Sequence, residues 1–263
     1  MSALSSPRIS RRFIRVWQRN FTVYQKTWKI SFIPPMLEPL FYLLAFGYGL
    51  SAFIEEIPYG GNKVPYLDFI APALLAVTIM YNAFFENTYA SFVRMYHQKT
   101  FDAMLATPLF LEEIIAGEIV WGATKSLLST ALMMVIISLF GLISYPQGLL
   151  ILPLAFLGGI AFGSIGMFFT GITPNIETFN LPIFLFITPM FLFSGTFFPL
   201  DTLPAWAQYI SIVLPLTHLV TVTRSLCFGF VSISLLWNLL FLLVFCLIFF
   251  PLAIAKMKGR LVK

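Results

Sequence analysis

Four ionisable residues, Glu38, Glu86, Glu118 and Lys125, lie within or at the edge of long apolar stretches. A charge at membrane depth is costly and persists where partners or a polar path hold it. Counted at about 1.5 Å per residue from the expected cytoplasmic span ends, the three carboxylates share a depth of roughly 10–14 Å. Lys125 follows Glu118 on the same helix face, and its stem lets the ammonium snorkel toward them. One reading of this intramembrane polar cluster is that it gates a pathway through the cytoplasmic half of the membrane. The other is a structural ion-pair set joining the first three spans.

Other chemistries find little support. His97 and His218 are far apart and expected on opposite sides of the membrane, which does not suit a metal site. No Gly-x-x-x-x-Gly-Lys-Ser/Thr phosphate loop occurs, so ATP hydrolysis by that route is excluded. An Asp-rich pyrophosphate motif is also missing, which weakens a prenyl- or glycosyl-transferase reading. Cys227 and Cys246 lie in or beside apolar segments without partner spacing and read as free core cysteines. No catalytic, cofactor or metal residue is therefore assigned to this chain.

The elements that must position the cluster are membrane spans. The chain has 263 residues, 59% hydrophobic and 10% charged. A soluble domain carries about 25% charged residues, so the bilayer must act as most of the solvent. No Asp, Glu, Lys or Arg occurs between Lys125 and Glu177, between Glu177 and Asp201, or between Arg224 and Lys256. A spanning helix needs about 20 apolar residues. The first gap holds two spans, broken at Ser144-Tyr145-Pro146-Gln147-Gly148, and each of the others holds one. Two more lie upstream, near Ile30–Ile54 and Pro65–Val93. The expected fold is all-α and integral to the membrane, with six transmembrane helices. Continuous rather than alternating apolar runs argue against a β-barrel, and no short apolar core with a cleavage site marks a signal peptide.

Basic residues orient these spans. Seven precede the first span, two follow the second and four follow the sixth, whereas Lys63 and Arg224 fall on the other side. The positive-inside rule puts both termini in the cytoplasm. Because the basic residues flank spans, a nucleic-acid partner is a poor reading. Near the N-terminus, Arg8, Arg11, Arg12, Arg15, Arg19 and Lys26 project within roughly 20–120° on a helical wheel. Ile9, Phe13, Val16, Trp17, Phe21 and Tyr24 fall within roughly 140–320°. Such a helix is expected along the cytoplasmic surface, its arginines near anionic lipid and its aromatics among the headgroups.

Pro34, Pro35 and Pro39 are expected to kink the first turns of span one. Glu55 to Lys63 reads as a short outer loop. After span two, Lys99-Thr100-Phe101-Asp102-Ala103-Met104-Leu105 forms a short amphipathic helix closed at Pro108. Gly159-x-x-x-Gly163 and Gly166 in span four admit close helix packing. Between spans five and six, a segment containing Asp201, Leu203, Pro204, Trp206 and Pro215 is too polar to span and too apolar for a free loop. Two short re-entrant helices in the outer leaflet satisfy both facts.

Several runs resemble type-2 ABC exporter permeases: Glu38-Pro39-Leu40-Phe41-Tyr42 through Gly47-Tyr48-Gly49-Leu50, Thr88 to Phe92, Lys99 to Pro108, and Thr188-Pro189-Met190 through Ser194-Gly195-Thr196-Phe197-Phe198-Pro199. Gly117-Glu118, Ala123-Thr124-Lys125 and Leu200-Asp201-Thr202-Leu203-Pro204 are similar to the subgroup of nodulation lipo-oligosaccharide exporter permeases. The resemblance covers about Trp17 to Arg260. It implies a homodimer, paired 2:2 with a separate ATP-binding subunit that carries the ATP and Mg, in the inner membrane. It also implies residues 1–29 as a connecting helix, 30–258 as the six-span domain and 259–263 as a cytoplasmic tail. Lys99–Pro108 becomes the coupling helix, with Phe101, Met104 and Leu105 as its apolar face and Lys99 and Asp102 as polar anchors. The implied activity is outward transport of an amphipathic glycan, a lipo-oligosaccharide or a lipid-linked substrate. Drug efflux is the alternative within the class, and an intramembrane enzyme or channel lies outside it.

Overall fold

The computed structural model describes residues 10–50, 53, 54, 56–59 and 62–261, with backbone only for residues 29–36, 38, 39, 47, 48 and 62. Two expected site residues, Arg8 and the side chain of Glu38, therefore lie outside the described set. The chain begins with α1 (Phe13–Tyr42), which passes into wider π-type turns over Leu43–Leu50. An antiparallel hairpin of β1 (Glu56–Tyr59) and β2 (Asn62–Pro65) follows, pairing Glu56 with Pro65 and Tyr59 with Asn62. Next come α2 (Tyr66–His97), the short α3 (Thr100–Leu105), α4 (Leu111–Leu139) and α5 (Gln147–Ile172). A shorter apolar helix, α6 (Glu177–Phe193), precedes α7 (Ala205–Val213), α8 (Pro215–Cys227) and α9 (Ser234–Leu261).

Among the described residues, four helices are long and apolar enough to cross a membrane: α2, α4, α5 and α9, with 32, 29, 26 and 28 residues. All exceed the roughly 20 residues that a crossing requires. They coincide with the second, third, fourth and sixth expected spans. The α7–α8 pair is bent by 86° at its break, a shape that a broken span and a re-entrant hairpin share. α6, where the fifth span was expected, is shorter than a full crossing. Pro182 and Pro189 interrupt its hydrogen-bond ladder, and Gly195 ends the run in a left-handed conformation with φ of 72°.

Two expectations are corrected. The boundary drawn between residues 29 and 30 falls inside α1, which is continuous from Phe13 to Tyr42. The segment read as an outer loop contains the β1–β2 hairpin, whose strands are separated in sequence by Gly60-Gly61. A Gly-Gly pair between two short runs is a hairpin signal.

α2 is the central helix, with Phe69, Ile70, Leu74, Leu75 and Ile79 all fully buried. α5 presses onto α4 and α2 through its glycines, as the small-residue spacing suggested. A Cβ at Gly159 would lie 2.6 Å from the Ala123 Cα, and one at Gly166 would lie 2.8 Å from the Phe84 carbonyl oxygen. α9 turns Leu236, Trp237, Leu247 and Ile248 outward, the all-round apolar character of a helix in lipid.

At the other end of the bundle, Arg224 holds the bent α7–α8 pair in place. It is 4% exposed, lies over the Phe69 ring at 3.8 Å, and donates to the carbonyls of Phe69 at 3.1 Å and Gly195 at 2.9 Å. One guanidinium thus ties α8, α2 and the turn after α6. Around it, Pro204 and Pro215 start α7 and α8, where a missing N–H costs nothing. Trp206 is 58% exposed and packs edge-on to Phe193 at 5.6 Å. Asp201 sits in an exposed turn at Leu200–Thr202, and Leu203 is half-buried.

Candidate functional site

Of the four residues expected to form a polar cluster, the structure brings together Glu86, Glu118 and Lys125, with Arg94 among them, while the Glu38 side chain lies outside the described set. Lys125 donates to Glu86 at 2.8 Å, and Arg94 donates to Glu86 at 2.8 Å. Arg94 also clasps Glu118 through Nε at 2.9 Å and Nη2 at 2.6 Å. The remaining carboxylate positions receive Trp121 Nε1 on Glu86 at 3.0 Å, Ser91 Oγ on Glu118 at 2.6 Å and Asn20 Nδ2 on Glu118 at 2.7 Å. Two carboxylates and two cations close on one another, joining α1, α2 and α4. Glu86 and Glu118 are buried at 5% and 0% exposure. Charges so deep persist when each is paired and each lone pair is occupied.

Sequence reading assigned Arg94 to the loop beyond span two. Its place in the network comes from helix geometry. Glu86 and Arg94 are eight residues apart, which on an ideal α-helix leaves them about 80° out of phase. α2 contains widened turns at Glu86–Ala90 and Val93–His97. One residue absorbed in such a turn restores the phase to about −20°, two turns on. On α4, by contrast, Glu118 and Lys125 follow ordinary helical spacing, and their shared face was legible; Trp121, between them, was not singled out.

α1 supplies the third wall by packing along the N-terminal half of α4. A Cβ at Gly117 would lie 2.6 Å from the Val16 Cβ, so only glycine admits α1 at this distance. Trp17 Nε1 donates to Thr124 Oγ1 at 2.9 Å and its ring stacks on Phe21 at 5.3 Å. The apolar side expected to meet lipid is therefore partly covered by α4, with Val16 buried and Phe13, Trp17, Phe21 and Tyr24 half-buried, while Ile14 and Val23 stay exposed. Arg11, Arg12 and Arg15 remain exposed, as the helical wheel placed them, and Arg19 is half-buried.

The expected coupling segment also needs correction. α3 is a single short helix preceded by Lys99 in a left-handed conformation, φ 54°. Phe101, read as part of an outward apolar face, is fully buried within a cluster that includes Val16, Phe92, Leu111 and Ile114. A six-residue helix has little stability of its own, so its one large aromatic anchors it to the bundle. Lys99, Asp102 and Leu105 stay exposed, while Thr100 and Met104 are half-buried. The outward apolar residues in this region are Tyr96, Leu105 and Phe110, at 53%, 39% and 48% exposure. Lys99 and Asp102 approach at 4.0 Å, an exposed pair of small energetic weight.

Further contacts tie the α3 region to the chain ends. Arg12 donates to the Pro108 carbonyl at 2.6 Å, and Ser10 bonds Glu113, which also accepts the Phe110 N–H at 2.9 Å at the start of α4. From α9, Lys258 pairs with Glu112, and Arg260 donates to the Thr170 carbonyl at 2.6 Å.

Between α1, α2 and α4 lies a cavity of about 410 Å³. Glu86, Arg94, Lys125 and Trp121 form its inner wall, and Arg19 and Tyr24 line its α1 side.

These features define a mostly helical integral membrane protein, a bundle whose basic residues are mostly gathered at one end. Residues 11–228 match the family model described as ABC-2 type transporter, and the chain belongs to that family. It is 35% identical to "Nodulation protein J" of Rhizobium leguminosarum bv. trifolii over 262 residues, 100% of this chain and 98% of that protein. It is 31% identical to "Nodulation protein J" of Rhizobium leguminosarum bv. viciae over 263 residues, the full length of both. More distantly, it is 23% identical to "Inner membrane transport permease YadH" of Escherichia coli (strain K12) over 220 residues, 83% of this chain and 82% of that one. The chain is thus a permease of the ABC-2 type, similar along its whole length to Nodulation protein J.

Proposed function

We propose that this chain is the non-catalytic membrane subunit of an ATP-driven exporter that moves an amphipathic glycan, of lipo-oligosaccharide type, outward across the cytoplasmic membrane. The observation that carries the reading is end-to-end similarity to Nodulation protein J, at 31% identity over the full length of both chains. In this proposal two copies pair with two copies of a separate ATP-binding subunit, which holds the ATP and Mg. Six spans place both termini in the cytoplasm, with α1 entering the membrane as the first and α6 contributing to the fifth. The α7–α8 pair re-enters from the outer side.

α3 and its flanks are the proposed contact with the ATPase. The exposed residues Lys99, Asp102 and Leu105, with Tyr96 and Phe110 beside them, offer an apolar patch with polar edges, the pattern that helix-in-groove docking uses. The buried network behind them joins α1, α2 and α4, so a push on α3 would reach three helices together. Its closed pairing favours a structural ion-pair role, through which pathway movement is transmitted, over a free gate charge.

Co-expression with a candidate ATP-binding subunit tests this. Stable co-purification is expected, with ATPase activity that Leu105→Ala and Asp102→Ala reduce while the chain itself stays folded. An ATP-binding subunit that never associates would remove the exporter reading and reopen the channel and enzyme alternatives.

A further inference from the structure

The cavity between α1, α2 and α4 does not end at its polar wall. Lys125 lines it, and one to three turns further along the same face of α4, Leu128, Leu132 and Val135 line an open apolar groove of about 540 Å³. Across that groove α1 contributes Phe21 and Trp28, and Tyr24 belongs to the walls of both spaces. A polar chamber thus continues into an aliphatic trough that runs along a spanning helix. That is the shape of one amphiphile, head and chain.

The hydrogen-bonding capacity left in the chamber identifies the head. Glu86 already accepts from Arg94, Trp121 and Lys125. Glu118 already accepts from Asn20, Ser91 and Arg94. A carboxylate offers about four lone-pair sites, so the acceptors are largely spent. Donors remain. Lys125 has used one of its N–H groups on a carboxylate. Among the described residues, Arg19 has no carboxylate within ion-pair distance and donates only to the neighbouring Asn20 side chain, at 2.9 Å. Among the described residues, three cations around the chamber, Arg19, Arg94 and Lys125, face two carboxylates. The half-buried Arg19 is then the cation in excess, lining the cavity with donors to spare.

We infer that this chamber and groove form a binding site for a single anionic phospholipid of the cytoplasmic leaflet. Its phosphate is held by Arg19 and Lys125, and one acyl chain lies along Leu128, Leu132 and Val135. A phosphate-linked cargo lipid presents the same head and tail, and free phosphate the same head, so the test separates the three. The inference does not depend on what the permease transports. It requires that α4 spans the bilayer with its N-terminal end on the cytoplasmic side, the orientation of the proposed function.

The full-length chain is reconstituted in nanodiscs of phosphatidylcholine, with or without phosphatidylglycerol, and bound lipid is counted by native mass spectrometry. One phosphatidylglycerol is expected to be retained with a preference of about fivefold over phosphatidylcholine, the effect of about one basic residue at a membrane surface. Arg19→Gln is expected to abolish that preference. Ala131→Trp, which fills the groove, is expected to lower retention of the lipid with the head site intact. The melting temperature of each variant separates lost binding from lost fold. Since the discs contain defined phospholipids alone, retention there assigns the site to the bilayer lipid rather than the cargo. Equal retention of the two lipids by the wild type, or an unchanged preference in Arg19→Gln, overturns the proposal. Displacement of phosphatidylglycerol by millimolar inorganic phosphate overturns it too, leaving a simple anion site.

Discussion

Arg94 and Lys125 both serve Glu86, yet their removal should have unequal consequences. Without Lys125, Glu86 keeps Arg94, which also holds Glu118. Without Arg94, Glu86 keeps Lys125, but Glu118 loses its only cation among the described residues while remaining fully buried. Breaking a buried pair from one side costs about 3–5 kcal/mol, because a charge is left uncompensated. Arg94→Gln is therefore expected to destabilise the purified chain by about that much, and Lys125→Gln by clearly less. Removing the stranded carboxylate as well, in Arg94→Gln with Glu118→Gln, should recover part of the loss. Thermal unfolding in detergent orders the three variants. If Lys125→Gln proves the more damaging, the network is not organised around Arg94. Residue types alone pointed to Glu38, Glu86, Glu118 and Lys125, since charges in apolar sequence stand out, and the last three meet in the structure. They could not supply Arg94, whose position depends on a change of helical pitch, or Asn20, whose partner lies on another helix.

For α3, the structure separates an anchoring residue from the surface it presents. Phe101 is buried in the cluster below, whereas Leu105 is 39% exposed. Truncating a buried Phe to Ala costs about 3–5 kcal/mol where the site cannot collapse, more than a six-residue helix can supply from its own hydrogen bonds. Phe101→Ala should release α3 and its flanks locally, seen as faster amide exchange over residues 96–110, while the long spans keep their protection. Leu105→Ala should leave exchange unchanged and affect only the proposed partnership with an ATP-binding subunit. Equal protection in Phe101→Ala and wild type would show that α3 is held by something else. The amphipathic pattern of Lys99–Pro108 was readable in advance, but not which side the bundle would claim, because one short helix offers apolar residues to both. The same ambiguity explains α1. Its basic face followed from a 100° projection, whereas its cover by α4 depends on Gly117 and on side-chain partners far away in sequence.

On the scale of the whole molecule, charge distribution carries a prediction of orientation that packing alone does not contain. α2, α4, α5 and α9 each bury their inner faces equally well whichever way the bundle is inserted. What distinguishes the ends is the positive charge gathered around α3, the start of α1 and the end of α9, against Lys63 and the buried Arg224 at the hairpin end. Insertion retains the Lys- and Arg-rich end in the cytoplasm, so Lys63, 80% exposed by its side chain, should face outward and Gly259, near the end of α9, inward. Single cysteines at these positions test both at once, in a background where Cys227 and Cys246, buried at 2% and 8% exposure, are replaced by serine. A membrane-impermeant maleimide added to intact cells, with the outer membrane opened where there is one, should label Lys63→Cys and spare Gly259→Cys until the cytoplasmic membrane is breached. Labelling of both in sealed cells would put the termini on opposite sides. An odd number of crossings would then follow, and α6, too short to cross as it stands, would be the first helix to lose its place among the spans.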